Sequence, residues 1–438
     1  MYDMKINDKN DEWIGKIPQN WDLRKIKYVL NPRNEKNIPL RSKKILSLTA
    51  KQGVIPYSQK EGGGNKPKQN LSNYKLAYPG DIVMNSMNIL SGAVGISKYF
   101  GCVSPVYYML TCRNKIDDIR FFYYVFANKT FQNSLLGIGN GILIKESENG
   151  KFNTIRMRIP IEKLENMCLP YPAPQIQKRI ADYLDKKVTK INKISKTIQQ
   201  EIDALEEYRK SLITETVTKG LDKNVPMKDS GIEWIGEIPE NWKVEKLKYL
   251  VETRESKILL SDVQYSYIGL ENIEKNTGKY ISTDSTYEDQ YYNFCEKGDI
   301  LYSKLRPNLS KAIIAPFAAC CTGEFEVIKS TKLHKKYILY YLLSNYVTDA
   351  TNAAIYGTKM PRVSWNYVKN LRVVFPNQSE DQIKIVNYLD KKLTIIDQIV
   401  RQKQQQLNHL DKYKQSIIYE YVTGKKQVPE KEGVKNAQ

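Results

Sequence analysis

Two long stretches of the chain carry apolar residues at helical spacing. From Gln175 to about Thr218 there is no proline or glycine, and Leu184, Ile191, Ile198, Leu205 and Leu212 recur every seven residues. Val188, Ile194, Ile202 and Tyr208 fill the neighbouring stripe. From Glu380 to about Val422 the stripe is Leu389, Leu393, Ile396, Val400, Leu407, Leu410 and Ile417, with Tyr421 behind it. Sustained heptads predict two long helices, each of roughly 65 Å at about 1.5 Å per residue, paired as a coiled coil. The alternative is that each helix docks separately on its own globular domain. Pro170, Pro172 and Pro174 stop the chain before the first helix and Pro376 before the second, while Gly220 and Gly424 mark the ends. Lys403 and Lys414 interrupt the second stripe. Such intrusions either fix register or let the lysine stem lie along the seam with its charge in water.

The rest of the chain has no such period. It shows short alternating runs rich in Tyr, Val and Ile, broken by Gly, Pro and Asn clusters, which predicts mixed α/β domains with many strands and loops. Within them, residues 119–136 and 335–352 are apolar enough to be buried helices.

The chain also repeats itself. EWIGKIPQNW at 12–21 returns as EWIGEIPENW at 233–242, with eight of ten positions identical. KIKYVL (25–30) pairs with KLKYLV (246–251), GDIVMNS (80–86) with GDILYSK (298–304), and YLDKK (183–187) with YLDKK (388–392). EYRKSLITETVT (207–218) pairs with KYKQSIIYEYVT (412–423). The matches keep their order, so this is a duplication with a diverged middle. The fold class is therefore α+β: two mixed α/β domains, each followed by a long helix. The predicted boundaries are 1–168 and 232–376 for the domains and 169–220 and 377–424 for the helices. Residues 221–231 form a linker and 425–438 a flexible tail.

Composition narrows the chemistry. The 438 residues carry a net charge of +20, which favours a polyanion partner. Residues 175–219 and 380–426 each contribute only +3, so most of the excess lies on the globular parts. No run approaches 18 apolar residues and the first residues have no apolar signal core, so neither a membrane span nor secretion is expected. The six scattered cysteines fit reduced cytosolic thiols, and with two lone histidines, His334 and His409, no metal site is expected. There is no phosphate-binding GxxxxGK[ST] loop, no GxGxxG, no Asn/Asp-Pro-Pro-aromatic run and no ordered nuclease carboxylate set, so no catalytic residue is assigned.

Candidate DNA contacts lie in loops. Residues 59–70 (QKEGGGNKPKQN) are glycine-rich and carry Lys60, Lys66 and Lys68. Asn85 and Asn88 follow the first Gly-Asp-Ile, and asparagine reads adenine bidentately. The second copy offers Lys304, Arg306, Asn308 and Lys311 in KLRPNLSK, and Lys359 and Arg362 in GTKMPR, with arginine the commonest reader of guanine. Trp13, Trp21, Trp234 and Trp242 are expected in the core or at a docking surface rather than stacked on bases.

The doubled EWIGxIPxNW openings, the doubled Gly-Asp-Ile, the GTKMPRVSW…LRVVFP segment and the paired YLDKK…YRKSLI/YKQSII helices resemble the specificity subunit of a type I restriction–modification enzyme. The resemblance runs from about residue 10 to 424 and departs at 151–160, where KFNTIRMRIP stands against GTKMPRVSW. It implies two target-recognition domains that each read one half of a split, asymmetric DNA sequence. The helices would pack antiparallel as a spacer about a pseudo-two-fold axis. It implies a cytoplasmic, non-catalytic subunit with double-stranded DNA, two modification subunits and two restriction subunits as partners. No cofactor is expected on this chain; S-adenosylmethionine, ATP and Mg2+ belong to the partners. A self-sufficient nuclease and a coiled-coil scaffold that touches no DNA are the competing readings.

Overall fold

The computed structural model describes residues 4–5, 12–50, 52–60, 66–142, 156–259, 266–283, 290–357 and 360–429. The chain divides into two compact units, residues 1–196 with 406–438, and residues 197–405. Each long helix therefore contributes one end to each unit. The helices run Pro174–Lys219 and Ser379–Val422. Pro174 is itself the first helical residue, where its missing N–H costs nothing.

In the first unit, a four-stranded antiparallel sheet has the order Leu30–Arg33, Tyr107–Cys112, Ile82–Asn85, Val94–Ile96. Two short helices, Ile119–Ala127 and Lys129–Ser134, cover it. Asn128 breaks them apart by accepting hydrogen bonds from Thr130 N–H and Phe131 N–H, the capping role that asparagine favours. Strand Asp22–Lys25 pairs with Cys168–Tyr171, and the latter leads directly into the first long helix. Trp13 packs edge-on against Phe131, ring centroids 5.1 Å apart.

The second unit repeats this frame. Its sheet has the order Val251–Thr253, Phe325–Ser330, Ile300–Ser303, Ala312–Ile314, again antiparallel. Helices Lys335–Leu342 and Asn345–Ala353 cover it, separated by Ser344 as cap. Strand Trp242–Lys246 pairs with Arg372–Pro376, and the latter leads into the second long helix. The copies part company in their second sheets. The first unit has two antiparallel strand pairs, Leu46–Thr49 with Gly53–Pro56 and Lys75–Ala77 with Gly101–Val103, joined by a single parallel bridge from Ile45 to Cys102. The second has one four-stranded sheet, Lys257–Leu259, Tyr291–Cys295, Ala319–Cys321, Ser266–Ile268, whose last pair is parallel. This is the diverged middle seen in the sequence.

Each long helix is fastened to the domain before it by the same two side chains. Gln177, fully buried, donates to Pro172 O at 2.9 Å and accepts from Asp118 N–H at 3.0 Å. Gln382 donates to Pro376 O at 3.2 Å and accepts from His334 N–H at 2.8 Å. The aspartate of each YLDKK is the second fastening. Asp185 accepts from Arg120 at 2.7 Å and Tyr124 at 2.6 Å, and Asp390 accepts from Lys336 at 2.5 Å and from Tyr340. Burial and then the neighbouring carboxylate push both tyrosines far above their ordinary range, so they stay neutral donors.

Each unit also contains a stretch of both long helices. In the first, Leu184 and Ile191 share a core with Ile417 and Tyr421, with Leu410 at its edge. In the second, Leu212, Leu389, Leu393 and Ile396 are buried together, with Leu205 and Val400 packed alongside. Lys403 donates to Glu201 at 2.7 Å, and Arg209, nearly buried, pairs with Asp397. As numbers climb from 201 to 209 on one helix they fall from 403 to 397 on the other. Ile198 and Leu407 are half-buried. Ile194 and Tyr208, expected in the stripe, are 40% and 53% exposed. The apolar face is narrower than the heptad reading drew it. Lys403 thus has an ionic partner across the seam, while Lys414 pairs within its own helix with Asp411 at 3.4 Å.

The helices end on a glycine lying against a tryptophan. Gly220 (φ +78°) sits on Trp242, and Gly424 (φ +71°) on Trp21 and Pro18. A Cβ at Gly424 would stand 2.5 Å from Pro18 Cδ, so both backbone sign and space demand glycine there. Among the described residues no helix is long and apolar enough to cross a membrane. All six cysteines are free.

Leu389→Ala removes a fully buried side chain from the core shared by helix and domain. It is expected to lower stability by about 3 kcal/mol, whereas Ile395→Ala at a position 44% exposed shifts it by less than about 0.5 kcal/mol. Urea denaturation of the two variants checks the contrast.

Candidate nucleic-acid interface

In both domains the Gly-Asp-Ile motif is a bracket that holds a loop. Gly80 and Gly298 take positive φ (+90° and +97°), turning the chain into the central strand. The following aspartates are buried. Asp81 accepts from Tyr78 N–H at 2.9 Å and from Arg33 at 3.1 Å. Asp299 accepts from Glu296 N–H at 2.9 Å and from Arg254 at 2.8 Å. Arg33 and Arg254 lie on the strand at the sheet edge, so each pair ties two strands that do not touch each other directly. Burial pushes the Asp81 carboxyl up, against the pull of the Tyr78 N–H and Arg33. The guanidinium of Arg254 is pushed up from its usual value, first by its bond to Asp299. These arginines escaped the reading of the sequence, although they sit 221 residues apart, the same offset as the repeated openings.

The strand that follows the bracket delivers part of the candidate contacts. In the first domain, Lys60, Lys66, Lys68, Asn85 and Asn88, drawn from two distant segments, line one cleft of about 840 Å3. Tyr57, Tyr74, Tyr107, Asn73 and Met87 also line it and were not anticipated. Asn85 is mostly buried, with its Oδ1 accepting Met87 N–H at 3.0 Å, so it shapes the loop. Asn88 is exposed. Lys66 and Lys68 are exposed and Lys60 half-exposed. A cleft lined by ammonium groups, carboxamides and phenols offers both phosphate contacts and hydrogen-bonding groups for base edges.

In the second domain the two predicted segments also come together. Arg306 N–H donates to Pro361 O at 2.8 Å and Val363 N–H to Lys304 O at 3.0 Å, strapping KLRPN to MPR. Three of the candidates are engaged inside the protein. Lys304 pairs with Glu326 at 3.0 Å, Lys311 donates to Leu270 O at 2.5 Å, and Arg362 bonds Glu324 through Nε (3.1 Å) and Nη2 (2.5 Å). Arg306 and Asn308 are exposed. Lys359 lies outside the described residues. Arg306 has φ +52°, a left-handed backbone that non-glycine residues seldom hold.

The tryptophans of the repeated openings divide. Trp13, Trp21 and Trp242 are buried, and Trp234 is 79% exposed. Where the first copy sets Phe131 against Trp13, the matching position three residues after the second cap holds Val347, which offers no ring.

With that geometry, comparison with known proteins assigns the class. The family described as the type I restriction–modification DNA specificity domain matches residues 18–204 and 239–409, once in each copy. The chain belongs to this family. It is similar to the type I restriction enzyme MjaVIII specificity subunit of Methanocaldococcus jannaschii, 25% identical over 372 residues, covering 79% of this chain and 80% of the relative. It is also similar to the EcoDI specificity subunit of Escherichia coli, 25% identical over 303 residues and covering 64% and 66%. A chain from a solved structure on complex assembly and conformational transition of the type I R–M system superposes with a TM-score of 0.65 at 13% identity. It spans 93% of this chain and 98% of its own, which shows a common fold.

Two tests address the bracket and the strap. Asp299→Ala is expected to cost about 2 kcal/mol, below the figure for fully buried pairs because Arg254 remains 23% exposed, and Asp299→Asn less; chemical denaturation measures both. Glu324, held below its ordinary value of 4.5 by Arg362, contributes stability that is complete above that value. The contribution disappears as pH falls through the lower folded value, so acid unfolding of Glu324→Gln should lack that part of the pH dependence.

Proposed function

We propose that this protein is the DNA-reading specificity subunit of a type I restriction–modification complex, with each domain recognising one half of a bipartite, asymmetric sequence. The observation that carries this is the cleft of the first domain, which gathers basic and carboxamide side chains behind the Gly-Asp-Ile bracket. The second domain has the same bracket with a different set of side chains behind it. One frame with two contents implies two unlike half-sites rather than a palindrome.

The long helices act as the spacer, packed antiparallel as a coiled coil about a pseudo-two-fold axis. The pairs Lys403–Glu201 and Arg209–Asp397 and the apolar residues around them support that seam. The half-sites are then presented in opposite senses, with a separation of about one duplex turn, roughly 34 Å. The chain itself is non-catalytic. It directs adenine methylation by two modification subunits, which carry S-adenosylmethionine, and cleavage by two restriction subunits, which use ATP and Mg2+. It works in the cytoplasm. The helices and the repeated openings are the docking surface for the modification subunits.

Adenine methylation is mapped by long-read sequencing in cells that express the chain with its modification subunit, before and after deletion of its gene. A split, non-palindromic motif that vanishes on deletion is the expected result, and unchanged methylation overturns the assignment. Binding of the complex to duplex DNA should fall steeply with salt, as about 6–10 phosphate contacts require.

A further inference from the structure

The loops behind the two brackets share a backbone hydrogen-bond pattern, although the residue before the turn is left-handed only in the second, at Arg306 (φ +52°, against −126° at Asn88). After strand Ile82–Asn85 the chain makes a three-residue 3-10 turn at Ile89–Ser91; after Ile300–Ser303 it makes one at Pro307–Leu309. Asn88 and Arg306 are the residues immediately before those turns. They correspond at the 218-residue offset that relates the two Gly-Asp-Ile motifs. The backbone bonds match as well. Ser91 N–H donates to Asn88 O at 3.0 Å and Leu309 N–H to Arg306 O at 2.9 Å. Asn85 N–H donates to Ala93 O at 3.1 Å and Ser303 N–H to Lys311 O at 2.9 Å. Both turns end on a left-handed residue, Gly92 at φ +83° and Ser310 at φ +42°.

Asn88 and Arg306 are exposed, and neither side chain caps the turn it precedes. That is informative for Asn88, because asparagine in this place usually turns its oxygen back onto the turn. Their neighbours are engaged: Asn85 with Met87 N–H, Lys304 with Glu326, Lys311 with Leu270 O. Corresponding places in the two sequences thus carry an exposed hydrogen-bonding group with no side-chain partner among the described residues, a carboxamide at Asn88 and a guanidinium at Arg306, with Asn308 exposed two residues beyond the latter. In the major groove a carboxamide matches the N6 donor and N7 acceptor of adenine, and a guanidinium matches the O6 and N7 acceptors of guanine.

We infer that Asn88 and Arg306 are equivalent purine readers, Asn88 taking an adenine in the first half-site and Arg306 a guanine at the corresponding place in the second. This rests on the proposed function and adds which residue reads which base. The experiment uses the full chain with its modification subunit, in cells lacking the native gene, with methylated motifs mapped for wild type and variants. Asn88→Ala should relax one adenine column of one half-site, with discrimination falling about tenfold to a hundredfold, and leave the other half-site intact. Arg306→Ala should do the same to one guanine column of the other half. Asn88→Arg should convert the first column from adenine to guanine. The intact half-site is the internal control for folding. A variant that abolishes methylation is carried into selection from randomised duplexes with the purified chain, where the same columns are read. Motifs unchanged in the variants overturn the inference and leave the function standing. Affinity lost equally on every sequence, with a shallower salt dependence, makes the two residues phosphate contacts and also overturns it. A wild-type motif that survives deletion of the chain brings down the proposed function itself.

Discussion

The arrangement depends on how each long helix is joined to the domain before it. A helix that leaves a domain through an ordinary loop can swing. Here the buried carboxamides of Gln177 and Gln382 close three and two hydrogen bonds at the first turn, and Asp185 and Asp390 add a second point of attachment two turns on. Two fixed points on a rod define a direction. Leaving such a buried amide unpaired costs about 1–3 kcal/mol per group, so the joint resists bending. A helix of 46 residues extends that direction over about 69 Å.

The duplication retains what carries load and varies what faces outward. The Arg–Asp brackets, the glutamine and aspartate fastenings and the Gly–Trp helix ends occur in both copies. The second sheet differs in regularity, a single Ile45–Cys102 bridge in the first copy standing where the second has a full parallel strand pair. Divergence is tolerated there because that sheet has its own small cores, around Leu46, Leu48 and Val103 in one domain and around Ile268, Leu301 and Phe325 in the other. A change within those cores need not be repeated in the core that holds the helices.

Much of this was legible in the sequence, for physical reasons that also explain the failures. The long helices follow from a period that needs no knowledge of the tertiary fold. Ile194 and Tyr208 were misplaced because a heptad stripe predicts a face but not its width. Lys304, Lys311 and Arg362 read as free basic groups, yet their partners Glu326, Leu270 O and Glu324 lie 22 to 41 residues away and are visible only once the sheet is folded. The gathering of Lys60–Lys68 with Asn85 and Asn88 was not deducible either, since loop composition says what a segment can contact and not where it lies. Trp13 and Trp234 occupy the same place in identical tetrapeptides and differ in exposure, because burial depends on the residue that receives the ring.

The buried Arg33–Asp81 and Arg254–Asp299 pairs lie beneath the variable loops and not within them. Folding information and recognition information are therefore stored in different residues a few positions apart. A lineage can rewrite the outward residues one codon at a time without first passing through an unstable intermediate. Such a protein can drift rapidly in specificity while its architecture stands still, an advantage in any contest where the opponent's DNA keeps changing.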